Sequence, residues 1–149
     1  MRFLLIIFFL MSCNPFHTSE QRKAYALLQL KSKEAVINFI NQYAQYPETY
    51  QPISFGHFVH QPGRPTNDGN ERYSWFHEFN IRNLAGDTIA MKTYFFINQN
   101  FFVCAVYDEQ YPNGNYAYSS LKLWTTTVGR PLTEAELRKF KEQFRVFNH

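Results

Sequence analysis

The chain has little of what most recognisable chemistries require. Only two of its 149 residues are cysteine, Cys13 and Cys104, too few for the disulfide framework of a small secreted scaffold. Its six glycines form no phosphate-cradling run, because Gly63 and Gly69 flank Pro65 and Asn67 in ordinary turn chemistry. No Gly-x-Ser-x-Gly elbow occurs, and Ser119-Ser120 has no flanking histidine, so a serine hydrolase has no signature here. Charge of one sign is also scarce. Fifteen basic residues against 12 acidic ones give a net charge of +3, and the cations are interleaved with acids. Lys31 and Lys33 sit beside Glu34, and Arg138, Lys139 and Lys141 lie between Glu136 and Glu142. That mixture describes solvated helix faces and excludes the clustered basic patch of a nucleic-acid binder. No apolar run approaches the roughly 20 residues that span a bilayer.

What the chain does have is rings. With 16 Phe, 10 Tyr and 2 Trp, aromatics make up 19% of it, so the core must be largely aromatic and some rings are left for the surface. The 45% hydrophobic and 18% charged content is that of a globular domain, and the length suits one domain.

The first 12 residues carry the most specific signal. Arg2 supplies a positive start, and Phe3 to Met11 are nine consecutive apolar residues, a signal-peptide core and not a membrane span. Leu10-Met11-Ser12-Cys13 then resembles the lipobox of bacterial lipoproteins: an aliphatic residue at −3, a small one at −1 and cysteine at +1. The resemblance implies that residues 1–12 are a lipoprotein signal peptide. It also implies that the Cys13 thiol carries a diacylglycerol and that Cys13 becomes the mature N-terminus. Each buried methylene of such chains contributes ~0.8 kcal/mol, so several chains anchor a protein without any membrane helix. Loss of the leader removes Arg2 from the 15 basic residues, leaving 14 against 12, or +2. Asn14 is not the Asp associated with inner-membrane retention, so the expected address is the outer membrane, facing the periplasm. Cys104 then has no cysteine to pair with. It lies in the apolar run Phe101-Phe-Val-Cys-Ala-Val106 with no neighbouring cation, the setting of a buried, inert thiol.

Residues 13–18 read as a tether and 19–149 as a single α+β domain. Thr18 and Gln21 have the spacing of a capping box. From there Tyr25, Leu28, Ser32, Ala35, Val36, Phe39, Ile40 and Tyr43 fall on one helical face. Leu27, Leu30 and Ile37 fall off that stripe, which gives the helix a second surface. The helix should end near Ala44, before Pro47. Ile53 to His60 alternates as a strand, and Gln61 to Asn70 reads as loop. Tyr73 to Asn83 alternates cleanly, Thr88 to Ile97 returns after the Gly86-Asp87 turn, and Phe101 to Tyr107 follows Asn98-Gln-Asn100. Asp108 to Tyr118 reads as loop. Leu121 to Val128, with Thr125, Thr126 and Thr127, reads as a further strand. Thr133-Glu-Ala-Glu136 caps a last helix, with Leu132 and Leu137 as its staple and Leu137, Phe140, Phe144 and Phe147 as its apolar stripe. The expected architecture is an N-terminal helix, an antiparallel meander of about four strands and a C-terminal helix, both helices on one sheet face.

Two segments carry a family resemblance: Tyr46-Pro-Glu-Thr-Tyr-Gln-Pro-Ile-Ser-Phe55, and His77-Glu-Phe-Asn-Ile-Arg-Asn-Leu-Ala-Gly86. They resemble segments of small uncharacterised lipoproteins of Bacteroidota, at Tyr46, Pro47, Tyr50, Pro52, His77, Phe79, Arg82, Asn83 and Gly86. The resemblance implies an envelope setting and no particular activity.

Candidate chemistry is thin. His57 and His77 both fall on strands and could face one another. His57 and His60, three apart on a strand, point to opposite faces and cannot chelate together. No compact set supplies the three or four ligands zinc needs, so neither a metal nor a cofactor is expected. Tyr111, Tyr116 and Tyr118, near Trp124, could form a ring platform for a glycan or peptide. The functional expectation is therefore a lipid-anchored, non-catalytic binding or structural module with an envelope protein or glycan as partner. A small hydrolase or metal-binding enzyme built on His57 and His77 is the alternative.

Overall fold

The computed structural model describes residues 18–60, 71–108 and 124–143. Helix α1 spans Ser19–Tyr43 and is followed by a 3-10 turn at Pro47–Thr49. Strands β1 (Gln51–His60), β2 (Glu71–Arg82), β3 (Thr88–Asn98) and β4 (Val103–Asp108) come next, and helix α2 covers Glu134–Gln143. The strands form one open antiparallel sheet in the order β1-β2-β3-β4. The α+β architecture read from the sequence is the one observed.

Local chemistry explains the element ends. Thr18 and Gln21 form the capping box: the Gln21 N–H donates to Thr18 Oγ1 at 3.2 Å, and the Thr18 N–H donates to Gln21 Oε1 at 2.8 Å. Thr133 and Glu136 repeat the device for α2, at 3.2 and 2.9 Å. The β2–β3 turn closes through the Asn83 side chain, which accepts from the Asp87 N–H at 2.9 Å, and through Gly86 at φ +95°. A side chain is disfavoured in that left-handed conformation. At the β3–β4 turn Asn98 Oδ1 accepts the N–H groups of Asn100 and Phe102. This holds Phe101 at φ +56°, a conformation that costs a non-glycine residue on the order of 1 kcal/mol.

The core lies between the sheet and the two helices. Along β2 burial alternates residue by residue, with Tyr73, Trp75, His77, Phe79 and Ile81 turned inward. From α1, Ser32, Val36, Phe39, Ile40 and Tyr43 meet them. Phe39 is the centre, touching the rings of Tyr43, Phe95, Trp124 and Phe140 at 5.1–6.2 Å. Trp75 donates its indole N–H to Ser32 Oγ at 2.9 Å, and that hydroxyl reaches the Leu28 carbonyl at 2.7 Å. The one polar residue of the helix stripe is thereby satisfied.

Arg130 fastens the helix ends to each other. Its Nε donates to the Gln42 carbonyl at 2.8 Å, and its other nitrogens grip both Glu136 oxygens at 2.6 and 3.1 Å. Arg130, with the Thr133 backbone N–H, holds the Glu136 carboxyl down at about 2.

Three expectations are corrected. Thr125 to Thr127 are not a strand: residues 124–127 make a helical turn, closed by the Val128 and Gly129 N–H groups donating to the Trp124 carbonyl. Burying the indole against α1 outweighs the β preference of three threonines, since that preference spans only ~1 kcal/mol. Gly129 then packs so closely that a Cβ would lie 2.7 Å from the Trp124 ring. Tyr25, on the core-facing stripe, stays 43% exposed, with its ring edge-on to Phe58 at 5.5 Å. Leu137 of α2 is 41% exposed, whereas Phe140 is buried. Of the expected loops, 61–70 and 109–118 lie outside the described residues, as do Phe144 and Phe147, while Asp108 itself ends β4.

Candidate functional site

The most unusual chemistry of the fold surrounds His77, a histidine with no exposure at all. It sits on the inner face of β2, opposite Phe55 of β1 and Thr93 of β3. The chain leaves α1, turns at Pro47–Thr49 and brings Tyr50 over it as β1 begins. Tyr50 Oη lies 2.7 Å from His77 Nε2, and His77 Nδ1 lies 2.7 Å from the Ser54 carbonyl oxygen. A carbonyl can only accept, so the proton is on Nδ1. Nε2 is then bare and takes the tyrosine O–H. One neutral imidazole thus connects Tyr50, just before β1, and Ser54 within it to the centre of β2.

Rings seal the arrangement. Phe55 stacks on the imidazole at 3.8 Å and 12°, Phe79 lies beside it at 4.9 Å, and Tyr50 meets Phe79 at 5.6 Å. Above Phe55 sits the Lys33 ammonium, 4.5 Å from the ring centroid. Burial pushes His77 down to about 4, and Lys33 adds to the shift; the Ser54 carbonyl and Glu78 pull the other way without prevailing. Burial pushes Tyr50 up to about 12. At neutral pH both groups are uncharged and each is engaged by the other.

Such an imidazole is a poor catalyst. Both nitrogens are engaged, no face is open to solvent, and proton acceptance is disfavoured near pH 7. Among the described residues no three of His, Cys, Asp and Glu are grouped so as to hold a metal ion. The geometry does the work of a clasp: it fixes the irregular start of β1 to the sheet with two hydrogen bonds, each worth about 1 kcal/mol.

One neighbour is unsatisfied. Thr93, paired with His77 across the ladder, is 1% exposed, and its Oγ1 has no hydrogen-bond partner among the described residues. A buried unpaired hydroxyl costs roughly 1–3 kcal/mol, and an apolar group of the same shape avoids that cost. Thr93→Val is accordingly expected to raise stability by about 1 kcal/mol, read as a higher midpoint in urea with an unchanged slope.

His57 and His77 are not brought together. A bulge between Phe55 and Phe58 puts Gly56 and His57 out of regular register, and His57 is exposed while His77 is sealed. Cys104 is 3% exposed with its Sγ 3.5 Å from the Phe96 carbonyl, the buried thiol expected. Trp124 is 2% exposed and donates its indole N–H to the Tyr43 carbonyl at 3.3 Å. It is a core residue and offers no face to a ligand. Cys13, Tyr111, Tyr116 and Tyr118 lie outside the described residues.

The segments Tyr46–Phe55 and His77–Gly86, singled out in the sequence, run side by side in the β1–β2 pair and the turns that flank it. Tyr50 holds His77 and packs on Phe79, and Pro52 pairs with Phe79 across the ladder. Arg82 lies over the Tyr46 ring at 5.7 Å and donates its N–H to Thr49 Oγ1, while Asn83 and Gly86 make the turn that follows. Residue-by-residue reading missed the Tyr50–His77 pair, although the two segments singled out in the sequence contain both halves of it. Comparison with known proteins adds no relative: no family model matches the chain, and no curated protein or solved structure matches it either.

Proposed function

We propose that the protein is a lipid-anchored component of the bacterial cell envelope, held through acyl chains on Cys13 and acting as a non-catalytic binding or structural module. The observation that carries this reading is the leader itself: Arg2, nine apolar residues and Leu-Met-Ser-Cys13 in sequence. No helix among the described residues is long and apolar enough to cross a membrane. The sealed state of His77 gives that strongly shifted group a structural role and removes it as the centre of the alternative enzyme. The proposed address is the outer membrane, facing the periplasm, and the proposed partner an envelope protein or a glycan. With Trp124 committed to the core, any aromatic platform rests on Tyr111, Tyr116 and Tyr118.

The test is replacement of the anchoring thiol. The native chain is expected to incorporate labelled palmitate and to enter the detergent phase on Triton X-114 separation. Cys13→Ser is expected to lose the label and move to the aqueous phase, with folding unchanged. An unmodified N-terminal peptide in native protein, with wholly aqueous partition, overturns the reading.

A further inference from the structure

Helix α1 begins well before the sheet supports it. Every residue from Thr18 to Leu27 is exposed, and the first ring contact with the sheet is Tyr25 on Phe58. At 1.5 Å per residue, the part before Tyr25 overhangs by about 9 Å. The same helix carries apolar side chains that the core does not use: Leu27 is 49% and Leu30 54% exposed. With Lys23 they follow four- and three-residue spacing along one line, on the side away from Ser32, Val36 and Tyr43. Glu34 ends that line one turn later.

We infer that this outward stripe of α1 rests on the lipid surface to which the chain is anchored, so that the domain lies against the bilayer on a defined face. The inference depends on the lipid anchor proposed above, and two observations select lipid as the occupant. The first is reach. Five residue steps separate Cys13 from Thr18, and a fully extended chain covers at most about 3.5 Å per residue, or roughly 18 Å. The start of α1 therefore cannot leave the headgroup region by more than that. The second is charge. In the first two turns, nearest the tether, the helix carries Arg22 and Lys23 against Glu20, a small excess of cations that suits anionic headgroups, whereas Lys31 and Lys33 lie over the Phe101 and Phe55 rings. Leu27 and Leu30 would bury apolar area at the acyl boundary, while Arg22 and Lys23 reach back to the phosphates along their apolar stems. Half-exposed leucines on a mixed-charge helix would be unremarkable on a freely diffusing domain; next to a short tether they face a lipid phase.

A nitroxide label tests this. The full-length acylated protein, as Leu30→Cys, is labelled and reconstituted into phosphatidylethanolamine–phosphatidylglycerol vesicles. Cys104, 3% exposed, is shielded from the reagent. The same label at Lys92, exposed on β3, serves as control. At position 30 the ratio of oxygen to nickel-chelate accessibility is expected to exceed that at 92 at least about threefold, because oxygen concentrates in the apolar phase. Equal ratios in vesicle-bound, acylated protein overturn the docked orientation and leave the anchor standing. Shielding from both quenchers at position 30 overturns it in favour of a protein partner on that stripe. Absence of acyl mass at Cys13, with no vesicle association, removes the anchor and this inference with it.

Discussion

Acidification from pH 7 to pH 4 is expected to weaken the fold by up to about 3 kcal/mol through His77 alone. The unfolded histidine takes a proton near its ordinary 6.5, whereas the buried imidazole resists it until about 4. Between those values the unfolded chain binds a proton that the folded chain does not, so unfolding gains ground as pH falls. The contribution of the neutral imidazole is therefore complete above pH 6.5 and exhausted near pH 4. Glu136 acts in a lower window: its carboxyl, held at about 2 by Arg130 and Thr133 against the usual 4.5, loses its advantage only as pH falls from 4.5 towards 2. The two losses follow one another and can be assigned separately. His77→Gln retains an amide that can donate to Ser54 and accept from Tyr50 but cannot titrate. It is expected to lower the melting temperature at pH 7 and to flatten its dependence between pH 6.5 and 4.5. Circular-dichroism melts at pH 7, 6 and 5 read the result, and an unchanged slope in the variant would remove His77 as the source.

Phe39→Ala is expected to cost about 4 kcal/mol, the cost of a large ring lost from a close-packed interior. In a domain of this size that corresponds to roughly 15 °C in melting temperature. Phe39 is 4% exposed and touches four other rings drawn from α1, β3, the helical turn at Trp124 and α2. Those rings belong to separate elements, so none can collapse into the void without moving its own backbone. Leu84→Ala, at a residue 44% exposed, is the matched control and is expected to stay within about 0.5 kcal/mol of wild type. Should both variants melt together, the centre of the core lies elsewhere.

The elements legible in the sequence were those with an unbroken period. β2 alternates inward and outward without interruption, and α1 keeps its three- and four-residue spacing from Ser32 to Tyr43. β1 was harder. Phe55 and Phe58 both turn inward although three residues apart, because the bulge between them absorbs one position. Gly56 lies in that bulge, where a Cβ would meet the Phe76 ring at 3.0 Å. The threonines at 125–127 misled because intrinsic preference is weaker than the burial of Trp124. The Tyr50–His77 clasp has no local signature at all. Its halves are 27 residues apart, and Tyr50 stands between Pro47 and Pro52 in a stretch with no periodicity to place its side chain.

The irregularity of β1 also bears on how neighbouring copies meet. As the outermost strand it presents main-chain groups that an extended segment of another molecule could join. Two register shifts, between Pro52 and Ser54 and between Phe55 and Phe58, break that margin into short stretches, and Pro52 has no N–H to offer. Copies of the chain held close together can therefore brush past one another along this border without zipping into a continuous ribbon.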